Sequence, residues 1–334
     1  MSLKAATTCQ AFVETGQEAI GRLAAAGCAF TGMTGAGPLA GTDLVAAIGE
    51  ADAFIADLDT FTAVTFDSVP KLQLVSRWGV GFDAVDLKAA TAAGVIVTNT
   101  PGVLDETVAD LAFALLLGVA RGIHLGHATV MEGRWDRAWR ADVHHKTLGI
   151  VGCGRIGTAV ARRAAGFNMR VVAFDLFPSE RARELGVEFV PLEELLQQAD
   201  FVSLHAAVTE QSRGMIGEAQ LRAMKPTALL VNTSRGALID EAALTRALNE
   251  GVIAGAALDT FQEEPLPRYS ALRSAKNVLL TPHMASLTTD NGRRISDAAV
   301  QAVLDLAAGR PPKNIVNPEV LKSPALRTKL KLTT

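Results

Sequence analysis

Four side chains able to hold or move a proton stand just beyond apolar runs in the second half of the chain. Arg235 follows "LLVNTS", Asp259 and Glu264 lie in "LDTFQEEPLP", and His283 lies in "TPHMAS" after "NVLL". In an open α/β sheet, ligands gather at the carboxyl ends of strands, so these positions form one candidate edge. A guanidinium offers a planar fork that grips a carboxylate and the adjacent oxygen together, which lysine cannot do with the same geometry. An imidazole starts from a pKa of about 6.5, and a carboxylate beside it stabilises the imidazolium. Arg235, Glu264 and His283 therefore supply a cation for a carboxylate or carbonyl oxygen, a carboxylate to orient the base, and a proton carrier for a hydroxyl. Each also has a blander reading: His283 as a structural strand terminus, Arg235 as a surface ion pair, and Asp259 as a cap on the next turn.

The stretch "GIVGCGRIGTAVARRAAGFNMRVVAFD" indicates what that chemistry accompanies. Gly152, Gly154 and Gly157 form GxGxxG directly after an apolar strand pattern and at the start of a helical one, and Asp175 closes the next strand pattern. That is the context of a dinucleotide-binding turn, not of a bare glycine motif. Gly152 permits the tight turn, Gly154 lets the backbone approach a pyrophosphate, and Gly157 lets the helix lie close to the strand. The helix start at Arg155 and Ile156 offers amide donors and a positive dipole end to the phosphates. Asp175 can accept hydrogen bonds from both adenosine ribose hydroxyls and would repel a 2′-phosphate, so NAD is expected over NADP. Thr233, at another strand end, joins the cofactor-binding set. With a nicotinamide nearby, the Arg, Glu and His set reads as hydride transfer between a 2-hydroxy acid and its 2-keto acid. His205 also ends a strand and reads as structural or supporting, and as the next candidate acid. His124, His127, His144 and His145 lie outside the motifs, with no acidic partners at ligand spacing, so no metal site is expected.

Parallel strands joined by crossover helices must carry these residues, because short apolar runs alternate with helical patterns in two blocks. The first block holds strand candidates at 52–56, 72–76 and 95–99 and ends near Pro101. The second holds six, at 147–152, 170–175, 200–205, 228–233, 254–259 and 277–282. Between the blocks, "DETVADLAFALLLGVARGIHLGHATV" reads as one long interdomain helix, with apolar residues too dense for a surface position. "LTTDNGRRISDAAVQAVLDLAAG" reads as a last helix that returns to the first block and stops at the prolines of "RPPKNIVNP". The final dozen residues, with Lys322, Arg327, Lys329 and Lys331, show little periodicity and read as a loosely ordered tail.

The whole composition bounds the function. At 334 residues the chain exceeds what one core usually serves, so two domains are expected. Apolar residues make up 49% and charged residues 20%, enough to bury a large core. A net charge of −3, with 32 Lys+Arg against 35 Asp+Glu, leaves no positive field for nucleic acid or anionic lipid. The longest apolar run, "LAFALLLGVA", is about half of the roughly 20 residues that cross a bilayer, so it reads as a buried helix. Glu14, Gly16 and Glu18 interrupt any export signal. Cys9, Cys28 and Cys153 form no CxxC pair, so neither a disulfide framework nor a zinc site is expected, and a cytoplasmic location fits.

The chain after about residue 50 resembles the D-isomer-specific 2-hydroxyacid dehydrogenases, of which D-3-phosphoglycerate dehydrogenase is a familiar member. The resemblance rests on "KLQLVSRWGVGFDAVDLKAATAAGVIVTNTPG", "KTLGIVGCGRIG", "LLVNTSRGALIDEAAL", "GAALDTFQEEPLP" and "NVLLTPHMA", in that order. It implies that Arg235 binds substrate, His283 is the acid/base and Glu264 pairs with it. It also implies that the "GVG" loop at Val80 and Gly81 binds the substrate carboxylate through backbone amides, with Arg77 nearby as a contact or as a brace for the loop. Asp259 would hold the nicotinamide carboxamide. The implied fold is α/β with two doubly wound parallel-sheet domains: a Rossmann NAD-binding domain, 102–284, inserted into a discontinuous flavodoxin-like substrate domain, 1–101 and 285–334. A homodimer joined through the helix near 104–122 is implied as well.

Some residues depart from the family pattern. Asp110 stands where a glutamate is usual, and Ala207 where proline is common. Phosphoglycerate enzymes carry a basic residue after the third strand, whereas "FIADLD" places Asp57 and Asp59 there to repel a phosphate. The chain also leaves no room for the regulatory domain many of those enzymes append. Formate-type relatives have glutamine in place of Glu264. The leading expectation is an NAD-dependent enzyme acting on a small, unphosphorylated acid; phosphoglycerate dehydrogenase and an NAD-sensing corepressor are the alternatives.

Overall fold

The computed structural model describes residues 2–33 and 38–330. The chain forms two compact units, one from residues up to Leu104 together with those from Ser286 onward, the other spanning Asp105–Ala285.

In the first unit, β1 (Lys4–Thr7), β2 (Ala29–Gly32), β3 (Ala53–Ala56), β4 (Leu74–Arg77) and β5 (Ile96–Thr98) make one parallel sheet in the order β2-β1-β3-β4-β5. That is the flavodoxin-like order. Every residue of β3 and β4 is buried, as expected of parallel strands covered by helices on both faces. The helix Thr289–Ala307 returns to this sheet, where Ser76 Oγ donates to the Ala299 carbonyl at 3.0 Å and Trp78 Nε1 to Ser296 Oγ at 2.9 Å. Strands β1 and β2 escape the sequence pattern because "KAAT" and "AFTG" are four residues each and carry few large apolar groups.

The C-terminal segment is bound, which corrects the expectation of a loose tail. The Arg327 guanidinium donates to the carbonyls of Val69 at 2.7 Å, Leu72 at 3.0 Å and Phe66 at 3.0 Å, and its amide donates to the Gly94 carbonyl. One cation satisfying three carbonyls leaves no trace in hydrophobic periodicity. Lys331 lies outside the described residues.

In the second unit, β6 (Thr147–Val151), β7 (Arg170–Phe174), β8 (Glu188–Phe189), β9 (Phe201–Leu204), β10 (Leu229–Asn232), β11 (Gly255–Leu258) and β12 (Val278–Leu280) form a parallel sheet. Its order, β12-β11-β10-β9-β6-β7-β8, reverses between β6 and β9, the switch point at which dinucleotides bind such sheets. The sheet has seven strands where six were expected, because the two residues of β8 are too short to show a pattern.

The segment read as one interdomain helix is two helices, Asp105–Arg121 and Ile123–Met131, bent by 62° where Gly122 turns left-handed at φ 60°. The first helix buries Val108, Ala112, Phe113, Leu115, Leu116 and Val119 within its own unit, against the helix Arg155–Ala164 and strands β10 and β11. Its apolar residues are thus spent in that core. Exposed apolar surface falls instead on Ile123, Val130 and Met131 and on the following Trp135 and Trp139. No single helix among the described residues is long and apolar enough to cross a membrane.

Candidate active site

At the end of β6 the three glycines divide their tasks. Gly152 has φ 89°, and a Cβ there would lie 2.4 Å from the Ala206 amide nitrogen; a Cβ on Gly157 would lie 2.4 Å from the Gly152 carbonyl oxygen. Those two positions hold strand, turn and helix in contact. A Cβ on Gly154 would meet nothing within 4 Å, so the turn presents open backbone on that side. Gly154 also starts the helix Arg155–Ala164 without a side-chain cap, which leaves the first-turn amides near Arg155 and Ile156 available to an anion. Asp175, one residue past β7, accepts from the Cys153 amide at 2.7 Å and from the Phe177 amide at 2.8 Å, which fixes its carboxylate beside the glycine turn. The next two residues, Leu176 and Phe177, are exposed and uncharged and bring no cation for a phosphate. Past β10, Thr233 is buried and its Oγ1 has no hydrogen-bond partner among the described residues. These features fit a dinucleotide.

His283, Glu264 and Arg235 come together from three loops of the same unit. His283 Nδ1 lies 2.6 Å from Glu264 Oε2, and the other Glu264 oxygen accepts from the Phe261 amide at 2.8 Å. Both side chains are about three-quarters buried, at 26% and 25% exposure. Burial pushes the Glu264 carboxyl up, but the His283 hydrogen bond and charge, the Phe261 amide and the Arg235 charge outweigh it, and its pKa falls below the ordinary value. The carboxylate therefore stays ionised across the neutral range. Its contribution to stability is complete above the ordinary carboxylate pKa and is lost as pH falls through the depressed one.

Arg235 reaches this group because the "NTSRG" turn presses on the 259–264 loop. A Cβ on Gly236 would lie 1.9 Å from the Phe261 carbonyl carbon, an approach only glycine permits. Asn232, wholly buried, holds the turn by donating to the Arg235 carbonyl at 2.9 Å and accepting from the Ser234 amide at 3.0 Å. Asp259 opens the 259–264 loop with 0% exposure, its carboxylate accepting from Thr281 Oγ1 and from the amides of Met284 and Ala285.

His205 is not an alternative acid. Its Nε2 pairs with Ser203 Oγ at 2.8 Å, its Nδ1 is sealed from solvent, and burial pulls its pKa down to about 4. It is neutral at physiological pH.

In the first unit the "GVG" loop turns three successive carbonyls inward. The Gly79 oxygen accepts from the Thr100 amide at 3.0 Å, the Val80 oxygen from Asn99 Nδ2 at 2.8 Å and the Gly81 oxygen from Arg77 Nε at 3.0 Å. The amides of Val80 and Gly81 donate to nothing within the described residues, so they form a small concave set of donors suited to an anion. Arg77 is 3% exposed and also donates to the Ala56 carbonyl at 2.7 Å. These two bonds tie the loop to the end of β3. Sequence reasoning missed Asn99; its place in "VTNTPG" after β5 was the available signal. Asp59 needs a correction too: it has 0% exposure and accepts from Thr8 Oγ1, the Leu39 amide and the Asp57 amide, so its charge holds a loop together.

A switch-point glycine turn with an acid beside it and a histidine–carboxylate pair at neighbouring strand ends suit a pyridine-nucleotide oxidoreductase. Residues 113–285 match the family described as "D-isomer specific 2-hydroxyacid dehydrogenase, NAD binding domain". The chain is 48% identical over 287 residues to a glyoxylate reductase from Korarchaeum cryptofilum, covering 84% of this chain and 86% of that one. Among solved structures, it is similar to a protein from Thermus thermophilus, with a TM-score of 0.85 and 38% identity over 94% of this chain and 100% of the other. It is also similar to an NADPH-dependent glyoxylate/hydroxypyruvate reductase from Sinorhizobium meliloti, with a TM-score of 0.81 and 28% identity over 100% of both chains. The chain belongs to the D-isomer specific 2-hydroxyacid dehydrogenase family. It is an enzyme of that class, with NAD as cofactor.

The Glu264 charge yields a prediction in pH. Glu264→Gln keeps the side chain's shape but removes the negative charge beside the His283 ring. The alkaline limb of kcat/KM for keto-acid reduction should move to lower pH than in the wild type. Coincident pH profiles for the two proteins would refute the pairing.

Proposed function

We propose that the enzyme uses NADH to reduce small, unphosphorylated 2-keto acids, with glyoxylate as the first candidate substrate. The observation that carries this is the 2.6 Å contact between His283 Nδ1 and Glu264 Oε2, a proton donor oriented by an ionised carboxylate. When bound, the nicotinamide supplies the hydride that a 2-keto carbon accepts. With Nδ1 engaged by Glu264, His283 gives its proton from Nε2 to the 2-keto oxygen as charge develops there. Glu264 stabilises the imidazolium before that transfer. The Arg235 guanidinium grips the substrate carboxylate and the reacting oxygen.

Glyoxylate is supported by the Korarchaeum cryptofilum relative at 48% identity. An unphosphorylated substrate is supported by the sequence after β3, where "ADLD" carries no cation. NADH over NADPH is supported by Asp175 and by the absence of a basic residue at 176 and 177. A cytoplasmic location suits three buried, unpaired cysteines. The assay is NADH oxidation against a panel of 2-keto acids, with NADPH in parallel. Glyoxylate should be turned over, NADH should give the higher kcat/KM, and Asp175→Ala should narrow the gap between the two cofactors. Equal wild-type kcat/KM for NADH and NADPH would exclude the assigned role of Asp175.

The apolar surface of Ile123, Val130, Met131, Trp135 and Trp139 is continuous along the chain and suits a second copy of the same protein. The enzyme is accordingly assigned as a homodimer. Light scattering at micromolar concentration should give twice the chain mass; a monomer would rule the assignment out.

A further inference from the structure

Strand β5 ends the order β2-β1-β3-β4-β5, a place where a strand has a row of backbone groups with no strand to pair them. Residues 314–317 cover that row. Asn317, at 0% exposure, accepts from the Val97 amide at 2.9 Å through Oδ1 and donates from Nδ2 to the Val95 carbonyl at 3.0 Å and to Thr91 Oγ1 at 3.1 Å. An amide side chain can fill both roles, whereas an ionised carboxylate has no donor. The Val316 amide donates to the Val97 carbonyl at 2.9 Å, Thr98 and Ile315 form an antiparallel bridge, and the Asn314 carbonyl accepts from the Asn99 amide at 3.3 Å. Further on, the chain is fastened at the other end of the strand. A Cβ on Gly94 would lie 1.8 Å from the Ala325 carbonyl oxygen, and the Arg327 amide donates to the Gly94 carbonyl at 3.1 Å. The Arg327 guanidinium then closes on the carbonyls of Phe66, Val69 and Leu72.

The covered row ends at Asn99, and from there it reaches the "GVG" loop. Asn99 Nδ2 donates to the Val80 carbonyl at 2.8 Å, and the next amide, that of Thr100, donates to the Gly79 carbonyl at 3.0 Å. The Val80 carbonyl and the Gly81 amide share one planar trans peptide and point in opposite directions, as do the Gly79 carbonyl and the Val80 amide. Holding each carbonyl from one side therefore aims the partnered amide at the other. The direction of both donors in the anion-binding set is fixed by residues 99 and 100, and the place of residue 99 is fixed by the segment 314–317.

We propose that residues 314–327 are a clasp on β5 that aims the Val80 and Gly81 amides at the substrate, with Asn317 and Arg327 as its anchors and Asn99 as the positioning residue between clasp and loop. The proposal rests on those two amides holding the substrate carboxylate. The test is a double-mutant cycle of Asn99→Ala and Asn317→Ala, with KM and kcat for glyoxylate at saturating NADH, the NADH Kd by fluorescence titration and the Tm measured on each variant. Each single variant should raise the glyoxylate KM about tenfold, the scale of a weakened hydrogen bond to an anion. The NADH Kd should be unchanged and kcat should fall less than KM rises, because the interaction lost is one made alike to substrate and transition state. The double variant should show the KM of Asn99→Ala alone, since Asn317 acts through Asn99. An Asn317→Ala variant with a lowered Tm and an unchanged KM would show a clasp that serves only the fold, and would overturn the proposal, as would KM increases that multiply in the double variant. If Asn317→Ala does not fold, Arg327→Met loosens the clasp at its other anchor. It should raise KM in the same direction at unchanged NADH Kd, and an unchanged KM would overturn the proposal. Failure of the underlying reading is distinguishable, since Asn99→Ala alone would then keep the wild-type KM.

Discussion

The second unit is organised around the bond between His283 Nδ1 and Glu264 Oε2. A carboxylate moved out of water tends to take up a proton. Glu264 escapes that tendency through the Phe261 amide on its other oxygen and the positive charges of His283 and Arg235. Each of these comes from a different strand end. The parallel sheet is what makes that possible, because β10, β11 and β12 all release their chains at the same edge.

Small residues and buried hydrogen bonds then set the distances. Gly236 lets the Arg235 turn touch the backbone at Phe261, which brings a guanidinium and a carboxylate from separate loops into electrostatic reach. In the first unit the same logic appears without charge on the ligand-facing side. Asn99 and Arg77 occupy the carbonyls of Val80 and Gly81 so that the amides are the groups presented. In both units the polar residues nearest the chemistry are supported by others that are buried.

Much of this was legible in the sequence, and the pattern of what was not is instructive. GxGxxG stood out because its glycines fall directly after an apolar strand pattern, and the meeting of Glu264 with His283 because both follow apolar runs that end at one sheet edge. Six strands of the second unit stood out as apolar runs, while β1, β2 and β8 were too short to show a period. The break at Gly122 was hidden by apolar residues that continue past it. The backbone partners of Arg77 and Asp259 were not legible, since residue type does not reveal where donors and acceptors face. Asn99 was missed for the same reason, as a neutral amide that acts through a neighbouring carbonyl.

The most direct measurement is the single-turnover rate of glyoxylate reduction by His283→Ala mixed with saturating NADH, followed as loss of nicotinamide absorbance. Because the imidazole is required only when the keto oxygen takes up charge, the reduction step should slow by about 10²–10⁴-fold, with NADH binding intact. A reduction step at nearly the wild-type rate would contradict the assignment of His283 as the proton donor and leave its bond to Glu264 a structural one.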